Sequence, residues 1–452
     1  MKNRIEANEI ELIFGLPFPA PQFMRHAPKI LTMPDGKIYA ADNELGAGTI
    51  FVARVHADGT PDKSFGGAGW VAEHLASGVS NTSIAGLLSR DDGGVIVALS
   101  GTSTFALACF AADGQLDRTF GENGKIVHPI ECGDTPADRQ TVPTVGVTAH
   151  ENANGNGNET ESSATGGLGA LVQADNGTFY GLLGERFGMA TCALMRFESN
   201  GRLDPNFNGT GVAIIHCPSG SPFDQRTGAN SFVVMPDGGA VVVGTITKIG
   251  EPMRVYFCRF NQDGSINRAF GEDGFAIFYS DSAGIPSDNL YQMELNYACN
   301  LSNGGITACG YLTNLPLYHS FGLVVCVDAL GRPIDDFNRG RPLLFGVVGE
   351  TDMKFLFGGM GVQTDGKIVA CGGVTENSSR DRSILISRFL EDGRVDSSFG
   401  GRGYLEISPY DSQVNHASDL LIDSNGKIWV AGAGGPNYNI SSNTSYVFRL
   451  SH

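Results

Sequence analysis

One phrase recurs seven times along this chain: an apolar run, an Asp-Gly, Asn-Gly or Gly-Gly turn, and a second apolar run. It first stands as Leu31-Thr32-Met33-Pro34-Asp35-Gly36-Lys37-Ile38-Tyr39-Ala40 and returns around Gly93, Gly177, Gly238, Gly304, Gly366 and Gly426. These turn glycines are 57, 84, 61, 66, 62 and 60 residues apart. A period this regular restricts the chain to architectures in which one supersecondary unit stacks on the next.

A second phrase follows each of the first six copies. Examples are Arg54-Val55-His56-Ala57-Asp58-Gly59-Thr60-Pro61-Asp62-Lys63-Ser64-Phe65-Gly66 and Phe110-Ala111-Ala112-Asp113-Gly114-Gln115-Leu116-Asp117-Arg118-Thr119-Phe120-Gly121. Asp-Gly between alternating apolar segments is the strongest short-range hairpin signal, because both turn residues need positive φ. Each period therefore predicts two hairpins, or four strands, and helical periodicity is absent. Seven such units predict an all-β chain folded as a seven-bladed β-propeller with four-stranded antiparallel blades. The blades fall near 24–71, 82–127, 168–215, 229–279, 294–345, 357–407 and 417–452. The last unit ends with its third strand, and Ile10-Glu11-Leu12-Ile13-Phe14-Gly15 matches Leu116-Asp117-Arg118-Thr119-Phe120-Gly121. The N-terminal strand is thus expected to close the last blade, making residues 1–452 one domain with a low-complexity insertion at 132–167.

The phrases quoted above, with their recurring "FG" step, resemble the delta-60 repeat family of β-propeller proteins. The resemblance covers residues 10–452 apart from the insertion. It implies the propeller architecture and carries no single activity. The chain departs from the pattern at Asn208 and Asn338, where glycine is expected, and at Cys109 and Cys326, where arginine is expected.

Composition narrows the function classes. Glycine supplies 62 of 452 residues, about twice its usual share of ~7%, in keeping with many tight turns. With 31 basic against 48 acidic residues the net charge is −17, which disfavours nucleic acid and anionic lipid as partners. Neither a membrane span nor a signal peptide is read, which points to the cytoplasm or to export by a non-classical route. Nine cysteines without paired spacing read as reduced core thiols.

Arginine precedes the second turn at Arg54, Arg196, Arg259 and Arg388, with Arg449 equivalent. An acid or amide follows it at Asp62, Asp117, Asp204, Asn267 and Asp396. A charge-assisted pair that recurs in nearly every blade is expected to pin hairpins. Function is expected where repetition breaks. The Asp-Gly turns share one face and are short. The opposite face carries the long, irregular connections 132–167, 218–228, 280–289, 374–382 and 434–445, and binding residues concentrate on such loops.

His74, His128 and His216 end outer strands there, while His26 and His416 each stand ten residues before a turn glycine, at the channel mouth. Phe223, Tyr318, Tyr410 and Tyr438 are candidate stacking residues on the same face. No G-x-S-x-G, H-E-x-x-H or Walker motif occurs, so no catalytic residue, metal-ligand set or cofactor is assigned. Asp423-Ser424-Asn425-Gly426-Lys427-Ile428-Trp429 loosely resembles a sialidase Asp-box but occurs once. The sequence thus predicts a non-catalytic module that binds a protein partner through its variable face. The alternatives are a lectin-like carbohydrate binder and a metal-assisted hydrolase or lyase with a site near His26 and His416.

Overall fold

A computed structural model describes residues 10–15, 28–44, 48–75, 82–101, 104–129, 171–174, 177–184, 192–215, 225–248, 251–285, 291–314, 319–346, 353–376, 382–408, 414–435 and 444–450. The insertion at 132–167 lies outside them. The described regular structure is strand apart from short 3-10 turns such as Ser280–Ala283 and Asn338–Gly340.

Antiparallel hairpins build the propeller's four-stranded blades. In the first, Lys29–Thr32, Ile38–Asn43, Thr49–Val55 and Trp70–His74 lie side by side in sequence order. Three more four-stranded sheets follow, spanning 83–129, 171–214 and 225–278. The remaining strands join in one twelve-stranded sheet. The sheets therefore number five, where the repeat predicts seven separate ones. The physical reason is local: single parallel bridges, Ser320 to Lys354 and Arg382 to Val414, tie the third strand of one four-strand group to the first strand of the next. At the end of this sheet Ile10–Gly15 pairs antiparallel with Thr444–Leu450, from Ile10 opposite Leu450 to Gly15 opposite Tyr446.

The core lies between blades, because each sheet presents apolar side chains on both faces. One cluster joins Tyr39, Val52 and Phe65 of the first blade to Val97, Leu99 and Phe110 of the second. Another joins Ile38, Ala40 and Phe51 of the first blade to Trp429, Ala431 and Val447, at the far end of the chain.

The two repeated phrases meet across these seams. The residue after the Phe-Gly phenylalanine donates its backbone N–H to the next blade's second turn. Gly66 bonds Asp113 O (2.8 Å), Gly121 bonds Asn200 O (2.9 Å) and Gly271 bonds Leu330 O (2.7 Å). The phenylalanine itself packs under the next turn glycine: a Cβ on Gly201 would stand 2.3 Å from the Phe120 ring. Asn208 (φ 50°) and Asn338 (φ 45°) take the left-handed conformation of the glycine they replace, which asparagine tolerates better than most residues.

The expected arginine clamps form at three sites. Arg54, Arg196 and Arg388 donate from Nε to Asp62, Asp204 and Asp396, each at 2.8 Å. Each guanidinium also lies over its own Phe-Gly ring, at 5.0 Å from Phe65, 5.1 Å from Phe207 and 4.6 Å from Phe399. Where the pattern departs, the structure compensates. Cys109 replaces the arginine in the second blade, and Arg90, from the preceding turn, bonds Asp117 at 2.7 Å. Asn267 replaces the acid in the fourth blade, and Arg259 turns to Asp237 (2.6 Å) and to the Ala329 carbonyl (2.6 Å). Arg449 stacks on Trp429 at 5.0 Å, whose indole N–H bonds Asp423 at 2.9 Å.

Candidate functional site

Inner strands enter from the long-loop face and end at the Asp-Gly face. Five of them carry a bulge, between Ile84 and Gly86, Ala229 and Ser231, Leu295 and Tyr297, Phe357 and Gly359, and Ala417 and Asp419. A bulge re-aims side chains and interrupts pairing. Here the extra residue always stands eight positions before the turn glycine. Two of these residues are asparagines that tie neighbouring inner strands together: Asn230 Nδ2 donates to Leu295 O (2.7 Å) and Asn296 Nδ2 to Phe357 O (2.8 Å).

Seven positions before the turn glycine stand Lys29, Gly86, Ser231, Tyr297, Gly359 and Asp419. Three of them converge. Lys29 Nζ lies 3.6 Å from Asp419 Oδ1 and 5.6 Å from the centre of the Tyr297 ring. Asp419 Oδ2 accepts the Ile30 backbone N–H at 3.1 Å. The Lys29 and Asp419 side chains are only 12% and 7% exposed. Burial pushes the Tyr297 hydroxyl well above its usual range, so this tyrosine stays neutral. At Gly359 of the same layer a Cβ would be tightly held, 3.0 Å from Cys371 Sγ and 3.1 Å from Leu420 N.

Glu294 stands ten positions before its turn glycine, in the same register as His26 and His416. The Tyr311 hydroxyl donates to Glu294 Oε2. Burial raises the carboxyl's proton affinity, and hydrogen bonds from Tyr311 and Asn230 only partly oppose it. A carboxyl whose proton affinity is raised by burial is held toward its protonated form, the form a general acid needs. Glu294 was not singled out from the sequence, although counting back from every turn glycine, rather than only from those preceded by histidine, brings it forward.

His416 is half-buried on its inner strand, where its carbonyl accepts the Tyr446 hydroxyl at 2.9 Å. His74 is exposed, its Nδ1 3.5 Å from Thr49 Oγ1. His128 is buried against the next blade, with Nε2 3.0 Å from Gly201 O and its ring 5.2 Å from Phe197. Burial lowers its pKa. His128 therefore packs a seam instead of facing a loop. His26, His216, Phe223, Tyr318, Tyr410 and Tyr438 lie outside the described residues. Among the described residues no three of His, Cys, Asp or Glu gather as a metal site. The seven described cysteines are free thiols, six of them buried.

Four segments of the chain, 34–65, 92–120, 236–270 and 363–399, match the family described as a domain of unknown function (DUF5122) beta-propeller. Each begins at or beside a first turn and ends on the phenylalanine of a Phe-Gly step. No curated protein matches the sequence significantly. Among solved structures, a streptogramin B lyase is 9% identical, with 98% of this chain and 97% of that chain covered and a TM-score of 0.46. A protein of unknown function from Dyadobacter fermentans DSM 18053 is 10% identical, with 98% and 99% covered and a TM-score of 0.47. Virginiamycin B lyase from Staphylococcus aureus is 10% identical, with 97% and 99% covered and a TM-score of 0.47. At these levels of likeness no residue role passes from those proteins to this chain.

Proposed function

We propose that the chain is a closed seven-bladed propeller of the delta-60 type, and that it serves as a non-catalytic module binding a protein partner through its long-loop face. Closure is supported by the packing of the first blade on the 414–450 strands and by the Ile30 N–H bond to Asp419. Single parallel bridges within the twelve-stranded sheet are weak joins, so that sheet is read as three blades linked at isolated points.

The observation that carries the binding reading is the asymmetry of the two faces. The Asp-Gly face is tied turn to turn by backbone bonds across the seams. The long, irregular connections all belong to the other face. A rigid base under variable loops is the arrangement in which loops do the recognising. To test it, the connections 216–224, 377–381 and 436–443, between the flanking strands, are shortened one at a time, and cross-linking with mass spectrometry follows the partner captured by the intact chain. Loss of one partner on shortening, with unchanged melting, supports the reading. Capture indifferent to all three changes refutes it.

Glu294 favours a second reading, in which the channel mouth on that face holds a small ligand and performs proton transfer. Turnover abolished by Glu294→Gln in an activity screen would favour it over the binding module.

A further inference from the structure

On the Asp-Gly face, away from the long loops, the first two blades form an open cavity of about 440 Å³. Lys37, Tyr39 and Arg54 line it from the first blade, and Asp92, Ala112 and Asp113 from the second. The repeat supplies its own control, because the third and fourth blades meet in the same way. There Gln262 stands where Ala112 stands here, two residues before the second turn glycine. The Gln262 side chain covers its own first turn, 3.1 Å from where a Cβ on Gly238 would be. Ala112 reaches Gly93 with a methyl group alone, at 3.5 Å.

The arginines differ in step with this. Arg196 Nη1 donates to the Gln262 carbonyl, and Arg259 Nη1 donates to the Ala329 carbonyl at 2.6 Å. Arg54 makes no bond to Ala112. Its Nε goes to Asp62 (2.8 Å), Nη1 to the Tyr39 hydroxyl (3.0 Å) and Nη2 to Ser64 (2.8 Å). A guanidinium has five N–H groups, so Arg54, 4% exposed, keeps donors beyond these three bonds at the cavity wall. Lys37 Nζ stands beside it, 3.0 Å from Asp35 and 3.6 Å from Asp62.

Across the cavity the charge reverses. Asp113 Oδ1 accepts the Gln115 N–H at 2.9 Å, which leaves its second oxygen as an acceptor. Asp92 is 2.9 Å from Arg90. The aspartates that line the cavity, Asp35, Asp92 and Asp113, outnumber the lining cations Lys37 and Arg54, so the net charge disfavours a plain anion. A plain cation meets Arg54 and Lys37.

We propose that this cavity binds a small zwitterion of the amino-acid class, with its carboxylate on Arg54 and Lys37 and its ammonium on Asp113. Isothermal titration with glycine, β-alanine and γ-aminobutyrate spans the spacing between the two charges, with acetate and ethylamine as single-charge controls. The expected result is saturable binding of at least one zwitterion and none of either control. Ala112→Gln, which copies the fourth blade, and Asp113→Asn should each weaken it at least tenfold while melting stays unchanged. If either variant unfolds, the other decides. Absence of zwitterion binding overturns the proposal, as does acetate binding as tightly, or binding indifferent to the variants.

Discussion

Asp62→Asn removes the charge that faces a buried guanidinium and leaves its shape in place. Burial pushes the Asp62 carboxyl up, but the Ser64 hydroxyl and N–H, with the Arg54 and Lys37 charges, overcome it and bring its pKa from the ordinary 3.8 to about 2. At about 1.4 kcal/mol per tenfold change in proton affinity, that is on the order of 2 kcal/mol. The pair lies just beneath the Asp-Gly face, so solvent screening reduces the expected cost to roughly 1–1.5 kcal/mol. Because the folded pKa is depressed, this stabilisation is fully present above the ordinary value and is lost as pH falls toward about 2. The chain has two tryptophans, and Trp70 pairs with Ala53, beside Arg54. In a Trp429→Phe background, fluorescence during urea unfolding therefore reports on the first blade. Asp62→Asn should lower stability by about 1–1.5 kcal/mol at pH 7, and between pH 5 and pH 2.5 the gap should shrink by more than half, closing only below about pH 2. A gap below ~0.5 kcal/mol at pH 7, or one constant across that range, refutes the account of the clamp as charge-assisted.

Gly201→Ala should cost well over ~2 kcal/mol, since strain at φ 85° adds to overlap with the Phe120 ring. Gly209→Ala, at φ 73° with nothing within 4 Å, should cost only ~1–2 kcal/mol in the same urea assay. Asp419→Ala leaves Lys29 buried and the Ile30 N–H unpaired, so it should destabilise by ~3 kcal/mol or more, read as a lower urea midpoint. Glu294 has a raised pKa, so its ionisation opposes folding as pH climbs above its ordinary value. Glu294→Gln should therefore gain stability relative to the parent as pH rises from 4.5 to 8, and melting curves that stay parallel would contradict this.

The readability of the chain followed the range of its interactions. Turn glycines and Phe-Gly steps are local signals, since positive φ and a ring beneath the next turn act within a few residues or at one fixed seam. They located the hairpins, and the Arg54–Asp62 clamp was legible because its partners stand eight residues apart in each of the three copies that form it. The substitute for Cys109 was not. Arg90 reaches Asp117 from 27 residues away, and only the fold places them together. The count of sheets differs for a similar reason: two isolated bridges join strands of different repeats, and no repeat encodes its neighbour's position. Glu294 and Ala112 carry the sharpest lesson, because each occupies a common repeat position with an uncommon side chain. The scaffold is written in what the seven copies share. Its sites are written as differences at one register, and a difference acquires chemical meaning only when the neighbouring blade is known, as Gln262 gives meaning to Ala112.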